Sequence, residues 1–194
     1  MENEKEQNRK PKEGNFWSET LRFVLISTVF VVLPIRLYVA QPFIVSGESM
    51  SPSFETGEYL IVDQLSYYLR EPARGEVVVF RYPVDPSKYF IKRIIGLPGE
   101  KLELNAGKVT IEKEGTTKTI TLIENYVKKD LPHDTKISLN EDEYFVMGDN
   151  RQASSDSRNW GPVKRRLLIG RALVRLLPIA RAEVLPAKAP LNEN

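Results

Sequence analysis

Hydrophobic and polar positions divide the chain into parts of different texture. Residues 1–20 are polar and carry charges of both signs, which is typical of a disordered tail. Residues 21–40 are apolar apart from a few polar positions and a proline. From Gln41 onward, short β-branched and aromatic runs are separated by Gly and Pro. The pattern therefore predicts one apolar helix followed by a mainly β domain.

The apolar stretch LRFVLISTVFVVLPIRLYVA is long enough to cross a bilayer once. Twenty helical residues at about 1.5 Å each span roughly the 30 Å hydrocarbon core. Arg22 and Arg36 lie near its ends, where long basic side chains reach the interface. Basic residues are frequent before the stretch, and after Arg36 none occurs until Arg70. The positive-inside bias predicts a cytoplasmic tail at 1–20, a transmembrane anchor at 21–40 and an extracytoplasmic domain beyond it.

A cleavable signal peptide and a buried core helix are the alternatives for this stretch. The strictly uncharged run, residues 23–35, has a length that suits the apolar region of a signal peptide. Cleavage after Ala40 would require a small residue where the chain has Tyr38. Basic residues at both ends disfavour a core helix. We therefore expect a retained single-pass anchor in the inner or plasma membrane, in contact with the lipid bilayer.

Residues 41–178 are expected to form the β domain, as a sandwich or barrel. Within it, a polar and alternating insert at about residues 103–140 predicts a small β lobe that contains a hairpin with its turn at Lys113–Thr117. Residues 179–194 are rich in Ala and Pro and lack periodicity, so we expect a flexible tail. The runs that carry the strand signal are YLIVDQL, GEVVVFRYP, YFIKRIIG, KVTIEK, TKTITLI, EYFVMG and GRALVRLLP.

Composition restricts the chemistry available to this domain. The 28 Lys and Arg residues and 26 Asp and Glu residues give a net charge of +2, too balanced to direct the whole protein to nucleic acid. The absence of Cys excludes disulfides and thiol nucleophiles, and the single His, His133, excludes a multi-His metal site. We expect His133 at the surface, and we expect no metal and no cofactor. Catalysis would then use hydroxyls, carboxylates, amines or the backbone.

Two segments contain a candidate nucleophile and a candidate base. In SGESMSPSF (46–54), Gly and Pro bracket a turn that can present Ser49 beside exposed backbone N–H groups, although most such clusters are plain loops. In YFIKRIIGLPGE (89–100), a strand would place Lys92 on one face with Phe90 and Ile94. Burial there would lower the lysine pKa and produce a general base. The alternative is an edge-strand lysine that extends into water.

A third segment, EYFVMGDNRQASSDSRNWGPV (143–163), runs from an apolar strand into a polar loop. Its side chains predict either an ion-pair network that fixes one wall of a site or a solvated turn. The polar residues concerned are Asp149, Asn150, Arg151, Ser154, Asp156, Ser157 and Arg158.

In this order behind one apolar span, the segments resemble type I signal peptidases, which are membrane-bound serine proteases of the Ser/Lys class. The resemblance covers residues from about 16 to 177. It depends on four motifs, SGESMSPSF (46–54), RGEVVVFRYP (74–83), YFIKRIIGLPGE (89–100) and MGDNRQASSDSR (147–158). It implies a signal-peptidase-like β catalytic domain that removes signal peptides from exported preproteins after small residues, Ala-x-Ala.

The resemblance also implies roles for individual residues. Ser49 is the nucleophile, Lys92 is its general base, and Ser154 matches the serine that orients the lysine. The structural ion-pair positions are Asp149, Asp156 and Arg158, with Arg93 as the partner of Asp149. The substrate pockets would be lined by Phe43, Val45, Met50, Phe90 and Ile91.

Some positions depart from the family pattern. Gly47 stands where some members have a serine that helps to hold the oxyanion, so the oxyanion hole would use mainly the Ser49 backbone N–H. Ala153 replaces a common Asn, and the insert is short, which predicts a reduced secondary lobe. The sequence Ala180-Arg181-Ala182 is itself an Ala-x-Ala, and self-cleavage there is a hypothesis.

Two other functions fit parts of the sequence. A self-cleaving repressor of related β architecture would have a DNA-binding region ahead of the catalytic part, where this chain has an apolar span. A non-catalytic, membrane-tethered β binding module would tolerate loss of Ser49 and Lys92, whereas an enzyme would not. We expect a monomeric serine endopeptidase whose partners are exported preproteins and the lipid bilayer.

Overall fold

The computed structural model describes residues 16–113, 119–127, 134–186 and 192–193. Residues 1–15 of the predicted cytoplasmic tail lie outside the described residues. So do residues 114–117 of the predicted hairpin turn and His133. The chain divides into two units between Tyr38 and Val39.

The first unit is helical. An α-helix, α1, covers Phe16–Ser27 and is followed by π-helical turns at Thr28–Val32 and Ile35–Val39. Its large apolar side chains are exposed, with Trp17 at 81% and Phe30 at 73%. Within the described residues, no single helix has both the length and the apolar character needed to cross a membrane. The transmembrane anchor stays a prediction.

The second unit consists mainly of short strands, with short helices α2 at Ser66–Leu69 and α3 at Ser157–Trp160. The strands are β1 Ala40–Ile44, β2 Tyr59–Asp63, β3 Val77–Arg81, β4 Tyr89–Gly96, β5 Glu100–Asn105, β6 Lys108–Lys113, β7 Thr119–Ile123, β8 Thr135–Ser138, β9 Glu143–Met147, β10 Val163–Lys164, β11 Leu168–Leu177, β12 Glu183–Val184 and β13 Asn192–Glu193. Single 3-10 turns cover Arg151–Ala153, Arg165–Leu167 and Ile179–Arg181.

These strands form two antiparallel sheets. The larger sheet has the order β1-β2-β11-β3-β4-β9-β10, with β12 also paired to β11, and the smaller has the order β13-β7-β6-β5-β8. Four strands of the smaller sheet, β5 to β8, correspond to the insert predicted at about 103–140, although β5 already begins at Glu100. The fifth strand, β13, comes from the C-terminal segment and pairs with β7. The prediction of a mainly β fold is confirmed.

Strand β4 has a free edge along its first half. It pairs with β3 over its length, but β9 pairs with it only from Arg93 onward. Strand β1 pairs with β2 alone among the described strands. Within the described residues, the larger sheet therefore has unpaired edges at residues 89–92 and at β1, besides those of β10 and β12.

Side chains of β4 alternate between separate core clusters, as expected for a strand. Ile94 packs with Val78 and Val146, whereas Ile91 packs against a cluster that contains Val45 and Met50. The predicted separation of the faces of β4 therefore holds at these positions.

The C-terminal segment differs from the predicted flexible tail. Residues 179–181 form a turn, and β12 pairs with β11 through the register of Val184 with Val174. A two-residue strand is too short to produce a periodic pattern of apolar residues, so it could not be predicted from the sequence. Residues 187–191 and 194 lie outside the described part of the chain.

Candidate active site

Ser49 and Lys92 are 43 residues apart in sequence and in direct contact in the structure. Lys92 Nζ is hydrogen bonded to Ser49 Oγ at 2.7 Å, and it donates to the carbonyl oxygen of Ile91 at 3.0 Å. Lys92 lies in the middle of β4, opposite Val78 of β3. Strand β4, which pairs with β3 at this position, thus positions the amine, and a loop brings the hydroxyl to it.

Lys92 is buried, with 4% of its surface exposed. Its Nζ lies 5.4 Å from the centre of the Phe90 ring. Desolvation by burial lowers the pKa of Lys92 to about 8, and the nearby charges of Asp156 and Asp149 oppose part of this shift. A substantial fraction of the amine is therefore unprotonated slightly above neutral pH.

Ser49 lies in a closed loop of residues 46–58, here called the Ser49 loop. Its ends are joined by hydrogen bonds from the Val45 N–H to the Glu58 carbonyl and from the Gly57 N–H to the Val45 carbonyl, each 2.9 Å. Gly47 has φ of +91°, a conformation that side chains rarely adopt. This bend begins the turn that carries Ser49.

The loop after β9 is hydrogen bonded to the Ser49 loop through Asn150. The Asn150 N–H donates to the Ser49 carbonyl at 3.0 Å, and Asn150 Nδ2 donates to the Glu48 carbonyl at 3.1 Å. A Cβ on Gly148 would lie 2.4 Å from the Ser49 carbonyl oxygen and 2.3 Å from Ser154 Oγ, so only glycine fits there. Sequence reasoning placed Asn150 in a polar network but did not predict these contacts with the Ser49 loop.

Ser154 lies beside this contact without reaching the amine directly. Its Oγ donates to Asp156 Oδ2 at 2.7 Å. Within the described residues, the hydrogen bonds of Lys92 Nζ are those to Ser49 and Ile91. The orienting role that the resemblance implies for Ser154 stays a prediction.

Asp156 and Arg158 form the first predicted ion pair. Arg158 Nε and Nη2 donate to the two carboxylate oxygens at 2.8 and 2.9 Å, and the Gly148 N–H donates to Oδ2 at 3.0 Å. Burial pushes the pKa of Asp156 upward, but the bonds from Arg158, Gly148 and Ser154 outweigh it and hold the pKa below its usual value. The carboxylate therefore stays charged and fixes the Gly148 backbone.

Arg93 and Asp149 form the second pair. Arg93 Nε and Nη2 donate to Asp149 at 2.8 and 2.5 Å, and both side chains are fully buried. Arg93 also donates to the Gly75 carbonyl at 2.9 Å. This pair joins the strand of Lys92 to the loop that contacts Ser49, with the partner that the resemblance implied.

The insert contributes a contact that sequence reasoning missed. Arg151 pairs with Glu124 at 2.5 Å, and Tyr126 donates its hydroxyl to the same carboxylate at 2.5 Å. The Arg93 guanidinium lies 4.1 Å from the centre of the Tyr126 ring. A pair whose partners are 27 residues apart leaves no local signal in a single sequence.

A cleft of about 470 Å³ opens beside Ser49 and Lys92. Four of the five predicted pocket residues line it, namely Phe43, Val45, Phe90 and Ile91. Met50 does not line it: this side chain is 1% exposed and packs in the core below the loop. Tyr89 and Ser155 also line the cleft and were not predicted.

The cleft is bordered by backbone that can pair with a peptide. Val45 directs its N–H and C=O toward residues 57–58, so by alternation the N–H and C=O of Ile44 point away from β2. The unpaired part of β4 lies on the other border, at Tyr89–Lys92. Both borders can accept an extended chain.

The described residues contain no group of three or more His, Cys, Asp or Glu side chains suited to a metal ion.

Comparison with known proteins places this geometry in a family. Residues 17–177 match the family described as "Signal peptidase, peptidase S26". The chain is 37% identical to the probable signal peptidase I-2 of Synechocystis sp., over 95% of this chain and 85% of that protein. It is also 37% identical to the signal peptidase I of Leptolyngbya laminosa, over 89% and 85%. A crystal structure of a signal peptidase I from Enterococcus faecalis V583 is 30% identical, with a TM-score of 0.45 over 53% of this chain and 97% of that one. The chain therefore belongs to the S26 family of signal peptidases and is a serine endopeptidase.

Proposed function

We propose that this signal peptidase cuts exported preproteins by a Ser49/Lys92 dyad. The observation that carries the proposal is the 2.7 Å hydrogen bond between Lys92 Nζ and Ser49 Oγ at the cleft. A buried amine with a pKa of about 8 can take the proton of a serine hydroxyl near neutral pH.

The reaction proceeds in two halves. Neutral Lys92 accepts the Ser49 proton while Oγ attacks the scissile carbonyl carbon, and the resulting ammonium donates that proton to the leaving amine as the peptide bond breaks. Lys92 then accepts a proton from water, whose oxygen attacks the ester carbon and releases the new carboxylate. Ser49 recovers its proton from Lys92. The Ser49 N–H stabilises the oxyanion in each half.

The substrate lies in the cleft as an extended strand. The free edges at Ile44 and at residues 89–92 pair with its backbone by strand addition. Side chains at the positions one and three residues before the scissile bond point to the same side of an extended chain, roughly 7 Å apart. They meet the apolar wall of Phe43, Val45 and Ile91. Small side chains fit there, which supports cleavage after Ala-x-Ala.

The proposed enzyme is anchored in the inner or plasma membrane, with its N-terminus in the cytoplasm and its β unit outside. The exposed apolar side chains of the helical unit and the positive-inside bias support this location. Its partners are then the lipid bilayer and preproteins that carry their own apolar segment. We propose that it acts as a monomer, without a cofactor and without nucleic acid.

The test is cleavage of a preprotein by the full-length chain in lipid vesicles. A preprotein with Ala-x-Ala before the cleavage point is expected to lose its signal peptide at that bond, and Ser49→Ala is expected to leave it intact. Ser138→Ala, which removes an exposed hydroxyl from β8 outside the cleft, is the matched control and is expected to retain cleavage. Cleavage by Ser49→Ala, or cutting at unrelated bonds by the wild type, would contradict the proposal.

A further inference from the structure

We infer that residues 179–184, here called the C-terminal clamp, hold the Ser49 loop in its reactive position through Arg181 and Glu58. The inference rests on the proposed function, because it assigns positioning residues to the Ser49/Lys92 reaction. The clamp includes Ala180-Arg181-Ala182, the Ala-x-Ala sequence at which self-cleavage is a hypothesis.

Arg181 joins the clamp to the Ser49 loop directly. Its Nη1 lies 2.8 Å from Glu58 Oε1, and its Nη2 donates to the Pro52 carbonyl at 3.1 Å. Glu58 is 2% exposed and lies at the closing end of the loop, where its carbonyl accepts from the Val45 N–H. One guanidinium therefore contacts both the base of the loop and the chain just after Ser49.

Arg175 of β11 contacts both the C-terminal clamp and the Ser49 loop. Its Nη1 donates to the Ser53 carbonyl at 2.8 Å and to Glu58 Oε2 at 3.1 Å. Its Nε donates to the Arg181 carbonyl at 2.7 Å, and its Nη2 pairs with Glu183 at 2.8 Å. Arg175 is 5% exposed and Glu58 is 2% exposed, so the centre of this set of charge-assisted bonds is buried, whereas the side chains of Arg181 and Glu183 are partly exposed.

These contacts hold the loop after Ser49, at Pro52 and Ser53, whereas Asn150 holds it at Glu48 and Ser49. The carbonyls of Pro52 and Ser53 follow Ser49 by only a few residues, and the loop is closed at Val45 and Glu58. A displacement of this short segment therefore moves Ser49 Oγ relative to Lys92. Misplacement of a reacting group by about 1 Å can lower a rate by about 10²-fold. Arg181 acts through the loop and does not touch the reacting atoms.

The conformation of the clamp differs from that of a bound substrate. The Arg181 N–H donates to the Pro178 carbonyl at 2.9 Å, and the Ala182 N–H donates to the Ile179 carbonyl at 3.1 Å. Ala180 and Arg181 thus lie in a 3-10 turn that ends before Ala182, whereas a cleft bordered by strand edges takes an extended chain. The structure assigns this sequence a positioning role.

The test measures cleavage by full-length Arg181→Ala in lipid vesicles. We expect kcat to fall about tenfold or more, because the substitution displaces Ser49 relative to Lys92. KM should stay within about twofold, because the walls of the cleft are unchanged. Arg181→Lys is expected to recover part of kcat through its contact with Glu58. Arg165→Ala is the matched control, because Arg165 pairs with Glu71, an exposed residue that follows α2. This variant should leave kcat unchanged.

The outcomes separate this inference from the proposed function. If the wild type does not cut the preprotein, the proposed function fails. If the wild type cuts and folded Arg181→Ala has the kcat of Arg165→Ala, the inference is overturned. Circular dichroism gives the folded fraction, to which each kcat is normalised. Should Arg181→Ala not fold, Arg181→Gln replaces it, and an unchanged kcat for that variant overturns the inference equally.

Discussion

Asn150 donates its backbone N–H to the carbonyl oxygen of Ser49 at 3.0 Å, which ties the loop after β9 to the turn that carries the proposed nucleophile. The Asn150 side chain adds a bond to the Glu48 carbonyl at 3.1 Å. The residue before Ser49 and Ser49 itself are therefore held by one asparagine. Lys92 and Ser49 come from distant parts of the chain, so their 2.7 Å contact depends on such cross-links.

Asn150→Ala keeps the backbone bond to Ser49 and removes the side-chain bond to Glu48. Loss of one hydrogen bond of about 1 kcal/mol is expected to lower kcat by about fivefold if that bond holds the reactive geometry. The measurement is kcat for preprotein cleavage, with Gln152→Ala at an exposed neighbouring position as control. Equal kcat values for the two variants would show that the side-chain bond does not position Ser49.

Gly148→Ala introduces a methyl group where a Cβ would lie 2.4 Å from the Ser49 carbonyl oxygen. The backbone must separate from the Ser49 loop, and we expect kcat/KM to fall by about 10²-fold or more. Ala153→Ser adds one heavy atom at an exposed position nearby and should retain activity. Wild-type kcat/KM in folded Gly148→Ala would show that the close approach is not required.

The pH dependence of cleavage follows from the pKa of Lys92, which burial lowers from 10.5 to about 8. Since only the neutral amine accepts the Ser49 proton, kcat/KM is expected to rise about tenfold per pH unit below the pKa and to level off above it. Lys88→Ala removes an exposed lysine that also lines the cleft, and it should leave the profile unchanged. An inflection near 10.5, or none at all, would contradict this assignment.

The same shift predicts a change in stability. Because the folded-state pKa of Lys92 lies below the unfolded value, the unfolded chain binds more protons between about pH 8 and 10.5, and stability rises with pH through that window. Below it, the buried charge is destabilising. Lys92→Met is therefore expected to raise the free energy of unfolding at pH 7 by about 1–3 kcal/mol.

Urea titrations of wild type and Lys92→Met at pH 7 and at pH 10 measure this difference. The advantage of the variant should shrink at pH 10, where the wild-type amine is neutral in the folded state. A variant less stable than the wild type at pH 7 would contradict a desolvated Lys92.

The sequence predicted the parts of the site that have a local pattern. Alternation within β4 separated Phe90 and Ile94 from Ile91, and the structure packs them against different core clusters. The resemblance joined Ser49 to Lys92 and Arg93 to Asp149, which are in contact in the structure. The mainly β fold followed from the short β-branched runs.

Contacts without a local pattern were not predictable. Arg181 pairs with Glu58, and Arg151 pairs with Glu124. No local sequence pattern distinguishes these charged residues from others or identifies their partners. The resemblance implied that Met50 lines a pocket, but in the structure this side chain is buried in the core. Tertiary packing, which a single sequence does not encode in any short window, decided each of these cases.

The central claim is that the Lys92 amine takes the proton of Ser49, and single-turnover cleavage of a preprotein by Lys92→Ala at saturating enzyme tests it most directly. Loss of the general base is expected to lower the rate by about 10²–10⁴-fold while the folded fraction stays that of the wild type. A folded Lys92→Ala that cuts at the wild-type rate would contradict the account.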